Sequence, residues 1–173
     1  MTPQMSRAYR EKTVLGLDPG KDGAAVLLIG DSDHAALEFA PIVGGRRWEA
    51  IHPQLTGWLR SMHATYRIDL AVLELHAGRP GEGAGGARTC GIGWGLWLGA
   101  LSALGIHVIT PTSQTVARIM LADLAGEGKE RAISLCGQRL PGLELCEGPA
   151  GRKRKPHSGL ADAGVLALYG RRG

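Results

Sequence analysis

The stretch VLGLDPGKDGAAVLL, from Val14 to Leu28, decides how the chain begins to fold. Two apolar runs flank a turn that contains Pro19 and two glycines, a pattern typical of two strands joined by a tight connection. A third apolar run, HAALEFAPIV (residues 34–43), follows as a further strand candidate. We therefore predict that the chain opens with an antiparallel meander.

The rest of the chain alternates helical and extended patterns. The segment WEAIHPQLTGWLRSMHATY (48–66) has apolar residues at helical spacing, and DLAVLEL (69–75) has the composition of a buried strand. Further helices are predicted over 95–105, 113–125, 129–140 and 158–170, with a short strand over 106–111. A meander followed by alternating helices and strands predicts an α/β (α+β) fold, in which helices cover a mixed sheet.

Length and composition limit the possible classes of protein. The 173 residues, 44% of them hydrophobic, fit one domain that buries a core without disulfides. We predict a single domain over 1–173, with 1–12 and 147–156 flexible. The cysteines Cys90, Cys136 and Cys146 form no C-x-x-C pair, which argues against a zinc site and favours a reducing cytoplasm. No apolar run predicts a signal peptide or a membrane span.

One acidic residue, Glu74, interrupts the apolar strand 69–75. A carboxylate in an apolar layer costs several kcal/mol unless it has a partner, and a bound cation is one such partner. Asp18 closes the first strand, so the two carboxylates share a pocket if their strands are neighbours. Asp18 alone is equally a turn former before Pro-Gly.

A third carboxylate, Asp162, lies on the last predicted helix, one turn after Ser158. Residues four apart share a helix face, so both side chains can line the same pocket. Scattered carboxylates are the ligands that Mg²⁺ and Mn²⁺ prefer. Asp162 is alternatively a solvated helix residue and Ser158 an N-cap. His157 is a metal ligand, a general base or a linker residue, and its position does not distinguish these roles.

Positive charge is concentrated in short segments of a chain with net charge +4. The segment GRKRKPH (151–157) contains Arg152, Lys153, Arg154 and Lys155. Such clusters bind nucleic-acid phosphates, but they are also found in solvated tails. The sequence leaves both interpretations open.

The chain resembles the RuvC-like Holliday junction resolvases of the RNase H-like superfamily, in their small phage or prophage form. The resemblance covers about residues 13–172. It rests on the first hairpin, the segment Leu70–Leu101 with its glycine-rich loop, GIHVITP (105–111), GKERAI (128–133) and HSGLADAGVLALYGRR (157–172). It implies a five-stranded mixed sheet with helices on both faces, and a protein of a bacterial or phage-infected cell.

The resemblance also implies site residues, cofactors and partners. Asp18, Glu74 and Asp162 match three of the four acidic positions of the family, which hold Mg²⁺ or Mn²⁺, two ions per site. Lys129 matches a family lysine near the scissile phosphate, and is otherwise a solvated lysine at a helix start. Branched DNA would be bound by a homodimer, with phosphate contacts from Arg79, Arg88, Arg152, Lys153, Arg154 and Lys155.

The chain departs from the family at two places. The fourth acidic position is Ser158, whose hydroxyl is a weak ligand for a hard cation, although His157 could compensate. Arg88 and Cys90 stand in the glycine-rich segment where relatives often carry aromatic residues that stack on bases. The helix around Trp94 and Trp97 is a candidate dimer surface or a core helix.

Three functions follow from the sequence. The first is a metal-dependent endonuclease that resolves four-way DNA junctions by phosphodiester hydrolysis, with Asp18, Glu74, Asp162, His157 and Lys129 as its catalytic residues and Ser158 as a further metal ligand. The second is a junction-binding protein that cuts weakly or not at all, which Ser158 favours. The third is a nuclease on another branched DNA or on RNA, because a fold does not fix its substrate.

Overall fold

The computed structural model describes residues 12–19, 24–30, 37–39, 48–75, 83–146 and 156–172. Its strands are β1 (Val14–Asp18), β2 (Ala24–Leu28), β3 (Leu37–Phe39), β4 (Leu70–Leu73) and β5 (Val108–Ile109). Its helices are α1 (Trp48–Tyr66), α2 (Ala84–Ala103), α3 (Ser113–Met120), α4 (Lys129–Arg139) and α5 (Ser158–Arg172). Each predicted strand and helix that falls on these residues is present, although several bounds differ.

The strands form one mixed sheet in the order β3-β2-β1-β4-β5. The pairs β1–β2 and β2–β3 are antiparallel, and the pairs β1–β4 and β4–β5 are parallel. The predicted meander and the predicted mixed sheet are therefore confirmed. Of the five predicted strands, four have three or more residues, and β5 is a ladder of only two.

Helices cover both faces of the sheet because the side chains of each strand alternate between two apolar clusters. Val14 and Val72 belong to a cluster that includes residues of α4 and α5. Leu15 and Leu73, their neighbours along the same strands, belong to a second cluster that includes residues of α1 and α2. This alternation is the period of two that a pleated strand imposes.

Helix α5 lies unusually close to the sheet because glycines stand where the two meet. A Cβ added to Gly16 of β1 would lie 2.1 Å from the carbonyl oxygen of Ala163 and 2.4 Å from the backbone nitrogen of Ala167. A Cβ at Gly170 would lie 2.6 Å from a methyl group of Val72. The missing side chains let α5 pack directly on β1 and β4, and this contact fixes the position of Asp162.

Helix α2 is longer than predicted. It begins at Ala84, whereas the glycine-rich sequence predicted a loop up to about Gly95. Glycine disfavours a helix by about 1 kcal/mol relative to alanine, but tertiary packing can override such preferences. Trp97 is 1% exposed and packs in the second cluster, beside the half-buried Trp94. Of the two interpretations of this helix, the core one is therefore confirmed for the tryptophans, and the dimer surface stays a prediction for the exposed side of α2.

Helix α3 is shorter than predicted and ends at Met120 instead of Ala125. Of the predicted third strand, only residues 37–39 are described.

Within the described ranges, no helix combines the length and the apolar character that crossing a membrane requires.

Candidate active site

The carboxyl ends of β1 and β4 bring two acidic side chains together. Asp18 is the last residue of β1, and Glu74 follows the last residue of β4. The two strands pair in parallel, with Leu17 opposite Leu73, and the backbone N–H of Glu74 donates to the carbonyl oxygen of Leu17 at 3.1 Å. Strand alternation then directs both carboxylates to the face of the sheet that α5 covers.

Glu74 is less deeply placed than the sequence suggested. It was expected inside a buried strand, but β4 ends one residue earlier and Glu74 is half-buried, as is Asp18. The surrounding strand residues Leu73 and Val72 are fully buried. The carboxylate therefore stands at the edge of the apolar layer, where solvent and a ligand can reach it.

Helix α5 supplies the third carboxylate. Ser158 is its first residue, and Asp162 lies one turn later on the same face. A cavity of about 520 Å³ lies between the ends of the strands and the helices α3, α4 and α5. Its polar lining residues are Asp18, Glu74, Asp162, Ser158, Lys129 and Ser113. Three acidic residues that are far apart in the sequence thus face one space.

The donor set fits a hard divalent cation. Carboxylate oxygens are its preferred ligands, and Mg²⁺ is usually held by one or two carboxylates together with water and substrate phosphates. Across the described parts of the chain, no group of three or more His, Cys, Asp or Glu side chains is close enough to hold a metal ion by itself. The cavity residues that would supply carboxylate oxygens to such a cation are Asp18, Glu74 and Asp162.

Lys129 contacts Ser158 across the cavity. Its Nζ donates a hydrogen bond to the Oγ of Ser158 at 2.9 Å, and this contact joins the first residues of α4 and α5. Gly128, which precedes Lys129, has a φ of +46°, in the left-handed region that favours glycine. The turn at Gly128 starts α4 with its lysine facing the cavity.

His157 caps α5 from outside the cavity. Its Nδ1 accepts a hydrogen bond from the backbone N–H of Leu160 at 3.1 Å, as an N-cap side chain does. The residue does not line the cavity, although its neighbour Ser158 does. The capping role assigned to Ser158 from sequence is thus performed by His157. This placement favours a structural role for His157 over the predicted catalytic one.

Two residues near the carboxylates were missed by the sequence analysis. Ser113 lines the cavity at the start of α3, because Thr112 pairs with Leu75 beyond the end of β4. Cys136 of α4 donates from its Sγ to the carbonyl oxygen of Ala161 at 3.3 Å. Burial, with a smaller contribution from the negative charge of Asp162, raises the pKa of the Cys136 thiol to about 12. Ser113 could have been identified as a cavity residue from the sequence, because it follows β5, a strand that pairs in parallel.

The predicted DNA-binding residues are only partly described. Arg88 is exposed on the first half of α2, so the segment expected to be a loop presents it from a helix. Arg79 and the cluster Arg152–Lys155 lie outside the described residues. Cys90 is partly exposed on the same helix.

Solved structures with the same architecture are found, although no protein-family profile and no curated protein matches the chain. The RuvC of Thermus thermophilus in complex with Holliday junction substrate has a TM-score of 0.63 and 20% identity, over 94% of this chain and 96% of that chain. A second structure of T. thermophilus RuvC has a TM-score of 0.62 and 21% identity, over 93% and 96%.

A eukaryotic resolvase has the same fold. The yeast mitochondrial Holliday junction resolvase Ydc2 has a TM-score of 0.60 and 13% identity, over 96% of this chain and 80% of that chain. The chain therefore has the fold of the RuvC and Ydc2 structures, a mixed sheet with helices on both faces, and the predicted resemblance is confirmed at the level of the fold.

Proposed function

We propose that the chain is a metal-dependent endonuclease that resolves four-way DNA junctions. The observation that carries this proposal is the cavity lined by Asp18, Glu74, Asp162 and Lys129 on a RuvC-type fold. The similar T. thermophilus protein was solved with a Holliday junction substrate, and the similar yeast protein is a Holliday junction resolvase. Carboxylates and a lysine around one open space suit the hydrolysis of a phosphodiester.

The cofactor proposed for this cavity is Mg²⁺ or Mn²⁺, held by Asp18, Glu74 and Asp162. Such an ion polarises a phosphoryl oxygen and lowers the pKa of bound water. Lys129 places a positive charge where the negative charge of the phosphate develops. The apolar residues Val116, Leu121 and Leu166 also line the cavity, beside these charged groups.

DNA is proposed to bind through the backbone contacts of arginine and lysine. Arg88 presents its guanidinium from α2, and Arg79 and the basic segment 152–155 add charge along the chain. Contacts of this kind position a duplex but do not read its sequence. The cellular location consistent with this role is the cytoplasm of a bacterial or phage-infected cell.

A homodimer is the proposed assembly. A four-way junction has near two-fold symmetry, so a dimer with C₂ symmetry places one cavity on each of two paired strands. The exposed side of α2 suits such an interface: ideal Cβ atoms at Gly91, Gly95 and Gly99 would meet nothing within 4 Å, and Ile92 is 39% exposed. Small residues in such a row allow two backbones to approach closely.

A second candidate function is junction binding with little or no cleavage. Ser158 favours it, because a hydroxyl that accepts a hydrogen bond from Lys129 leaves the cavity with three carboxylates. Hydrolysis of another branched DNA or of RNA is the remaining alternative, since the fold does not fix the substrate.

A cleavage assay separates these functions. The chain is mixed with Mg²⁺ or Mn²⁺ and a labelled four-way junction, a linear duplex or an RNA–DNA hybrid. Selective cutting of the junction is the expected result, and Asp162→Asn should abolish it while junction binding persists. The matched control is Asp123→Asn, which removes an exposed carboxylate after α3 that does not line the cavity. Binding without cutting in both metals would select the second function, and cutting of the hybrid alone would select the third.

A further inference from the structure

The position of Lys129 is not explained by helix stability. It is the first residue of α4, and the positive end of the helix dipole lies there. A cation near a helix N-terminus is unfavourable, and Gly128 provides no side-chain cap to compensate. The geometry instead links Lys129 to the cavity, through its 2.9 Å hydrogen bond to Ser158.

Ser158 has a defined role in this contact. Its Oγ accepts a hydrogen bond from a charged ammonium group, so a metal ion at the same oxygen would lie next to a positive charge. A hydroxyl is already a poor ligand for a hard cation compared with a carboxylate. The prediction that Ser158 is a metal ligand is therefore replaced by a role as the acceptor that orients Lys129.

The charges around the cavity favour a single cation. Among the described lining residues, the charged ones are three carboxylates and one lysine, a formal excess of two negative charges. One divalent ion balances the charge of these described residues, whereas a second ion would give them a formal excess of two positive charges. Lys129 also donates a hydrogen bond to Ser158, the α5 hydroxyl among the described residues that line the cavity.

We infer that the DNA-free cavity binds one divalent cation, and that Lys129, oriented by Ser158, supplies the second positive charge that faces the phosphate. This inference rests on the proposed nuclease function and changes the expected number of ions from two to one. Lys129 is then the residue that contacts the substrate, and Ser158 is a positioning residue that acts through it.

The stoichiometry is tested with Mn²⁺ on the full chain without DNA. Electron paramagnetic resonance of free Mn²⁺ during a titration at low salt gives the number of ions bound per chain. One ion is the expected result. Two ions per chain, or none, would overturn the inference.

Lys129→Met tests the role of the lysine. Removing its charge should tighten Mn²⁺ binding about fivefold, the effect of a unit charge on a divalent ion across roughly 8 Å of water. Junction affinity should fall in the same variant, because a phosphate contact is lost. A merely structural lysine would not move the two affinities in opposite directions. Lys12→Met, which removes an exposed lysine outside this cavity, is the matched control and should leave Mn²⁺ binding unchanged.

Ser158→Ala and Ser158→Thr test the positioning role. Alanine removes the acceptor, so Lys129 is no longer held near the cavity and Mn²⁺ binding should tighten in the same direction as in Lys129→Met. Threonine keeps a hydroxyl and should retain the wild-type affinity. Equal Mn²⁺ affinity in the alanine variant and the wild type would refute the positioning role.

The readouts also separate this inference from the proposed function. One Mn²⁺ per chain without any junction cleavage would support the inference of a single cation and contradict the proposed nuclease function. Two Mn²⁺ per chain with junction cleavage would overturn the cation inference and support the nuclease.

Discussion

At the scale of single residues, none of the three carboxylates indicates a site by itself, and it is their presence around one cavity that does. Asp18 is an ordinary turn former by itself, and Asp162 an ordinary helix residue. The structure places both with Glu74 around one cavity, beside Lys129 and Ser158. The proposed cation binding would account for the three positions together, and Lys129 donates a hydrogen bond to Ser158, which stands where a fourth carboxylate was expected.

Ser158→Asp is predicted to add a second cation and to raise the rate of junction cleavage. The new carboxylate lies one turn from Asp162 and reaches the same cavity, and an acidic residue in the first turn of α5 is favoured by the helix dipole. Junction affinity and the free energy of unfolding should change little. The measurements are Mn²⁺ stoichiometry and single-turnover cleavage, with Ser134→Asp on the exposed side of α4 as the control. An unchanged stoichiometry would show that residue 158 does not reach the ions.

Cys136 is predicted to make stability fall at high pH. Its pKa is raised from 9.0 to about 12 because burial, and secondarily the charge of Asp162, disfavours the thiolate. Between these values the folded chain keeps a proton that the unfolded chain has lost, so the free energy of unfolding decreases as pH rises, by about 1.4 kcal/mol per pH unit.

Urea denaturation from pH 8 to 11 of the wild type and of Cys136→Ala isolates this contribution. Other groups titrate equally in both proteins, so the difference between the two curves belongs to the thiol. If the free energies of unfolding of the two proteins differ by the same amount at every pH from 8 to 11, the raised pKa of Cys136 is contradicted.

At the scale of secondary-structure elements, the site depends on how closely α5 approaches the sheet. The contact relies on glycines at three places: Gly16 on β1 and Gly170 on α5 at the sheet, and Gly164 on α5 against Cys136 of α4. Each replaces a side chain that would collide with a neighbouring backbone or side chain. The short distance between the elements therefore sets both the packing of the core and the place of Asp162.

Gly16→Ala is predicted to destabilise the fold by at least about 1–3 kcal/mol, the usual cost of overpacking. Its Cβ would collide with the backbone of Ala163 and Ala167, which cannot move as a side chain end can. Cleavage should fall even at temperatures where the variant is folded, because α5 carries Asp162. Gly57→Ala is the control: its Cβ meets nothing within 4 Å on α1, so urea denaturation should show a gain of about 0.5–1 kcal/mol. Equal stability of Gly16→Ala and the wild type would contradict the packing argument.

At the scale of the whole molecule, two features bear on the proposed partners. One is the exposed side of α2, with Ile92 and its row of glycines, and the other is positive charge, which Arg88 presents on α2 and the sequence of segment 152–155 adds to. The first suits a second copy of the chain and the second suits DNA. The proposed cleavage of a symmetric junction would use both, because two cavities would have to meet two strands.

Ile92→Glu is predicted to shift a homodimer toward monomer. A charge at the centre of the proposed interface would be buried without a partner, which is unfavourable by several kcal/mol. Sedimentation equilibrium measures the change in dissociation constant. Ile119→Glu is a closely matched control, because Ile119 is 42% exposed and lies on α3, away from α2. Equal effects of the two substitutions would exclude α2 as the interface.

Neutralising Lys153 and Arg154 is predicted to weaken junction binding and to reduce its salt dependence. Each lost phosphate contact should lower the slope of log affinity against log salt by about one unit. Fluorescence anisotropy at several salt concentrations gives this slope, and Lys12→Met with Arg60→Met provides a control with the same change of charge. An unchanged slope would assign the segment to a solvated tail.

The sequence by itself determined the order of strands and helices, and it identified the acidic residues. Those features depend on local patterns: apolar alternation, helical spacing, and turns marked by proline and glycine. Helix α1 was predicted with its observed bounds. The bounds of α2 were wrong, because glycine content suggested a loop where packing of Trp97 and its neighbours supports a helix. Only the tertiary structure decided that Lys129 meets Ser158, that His157 caps α5 and that Ser113 reaches the cavity. These contacts join residues through the packing of separate elements, and no local pattern encodes the distance between two elements.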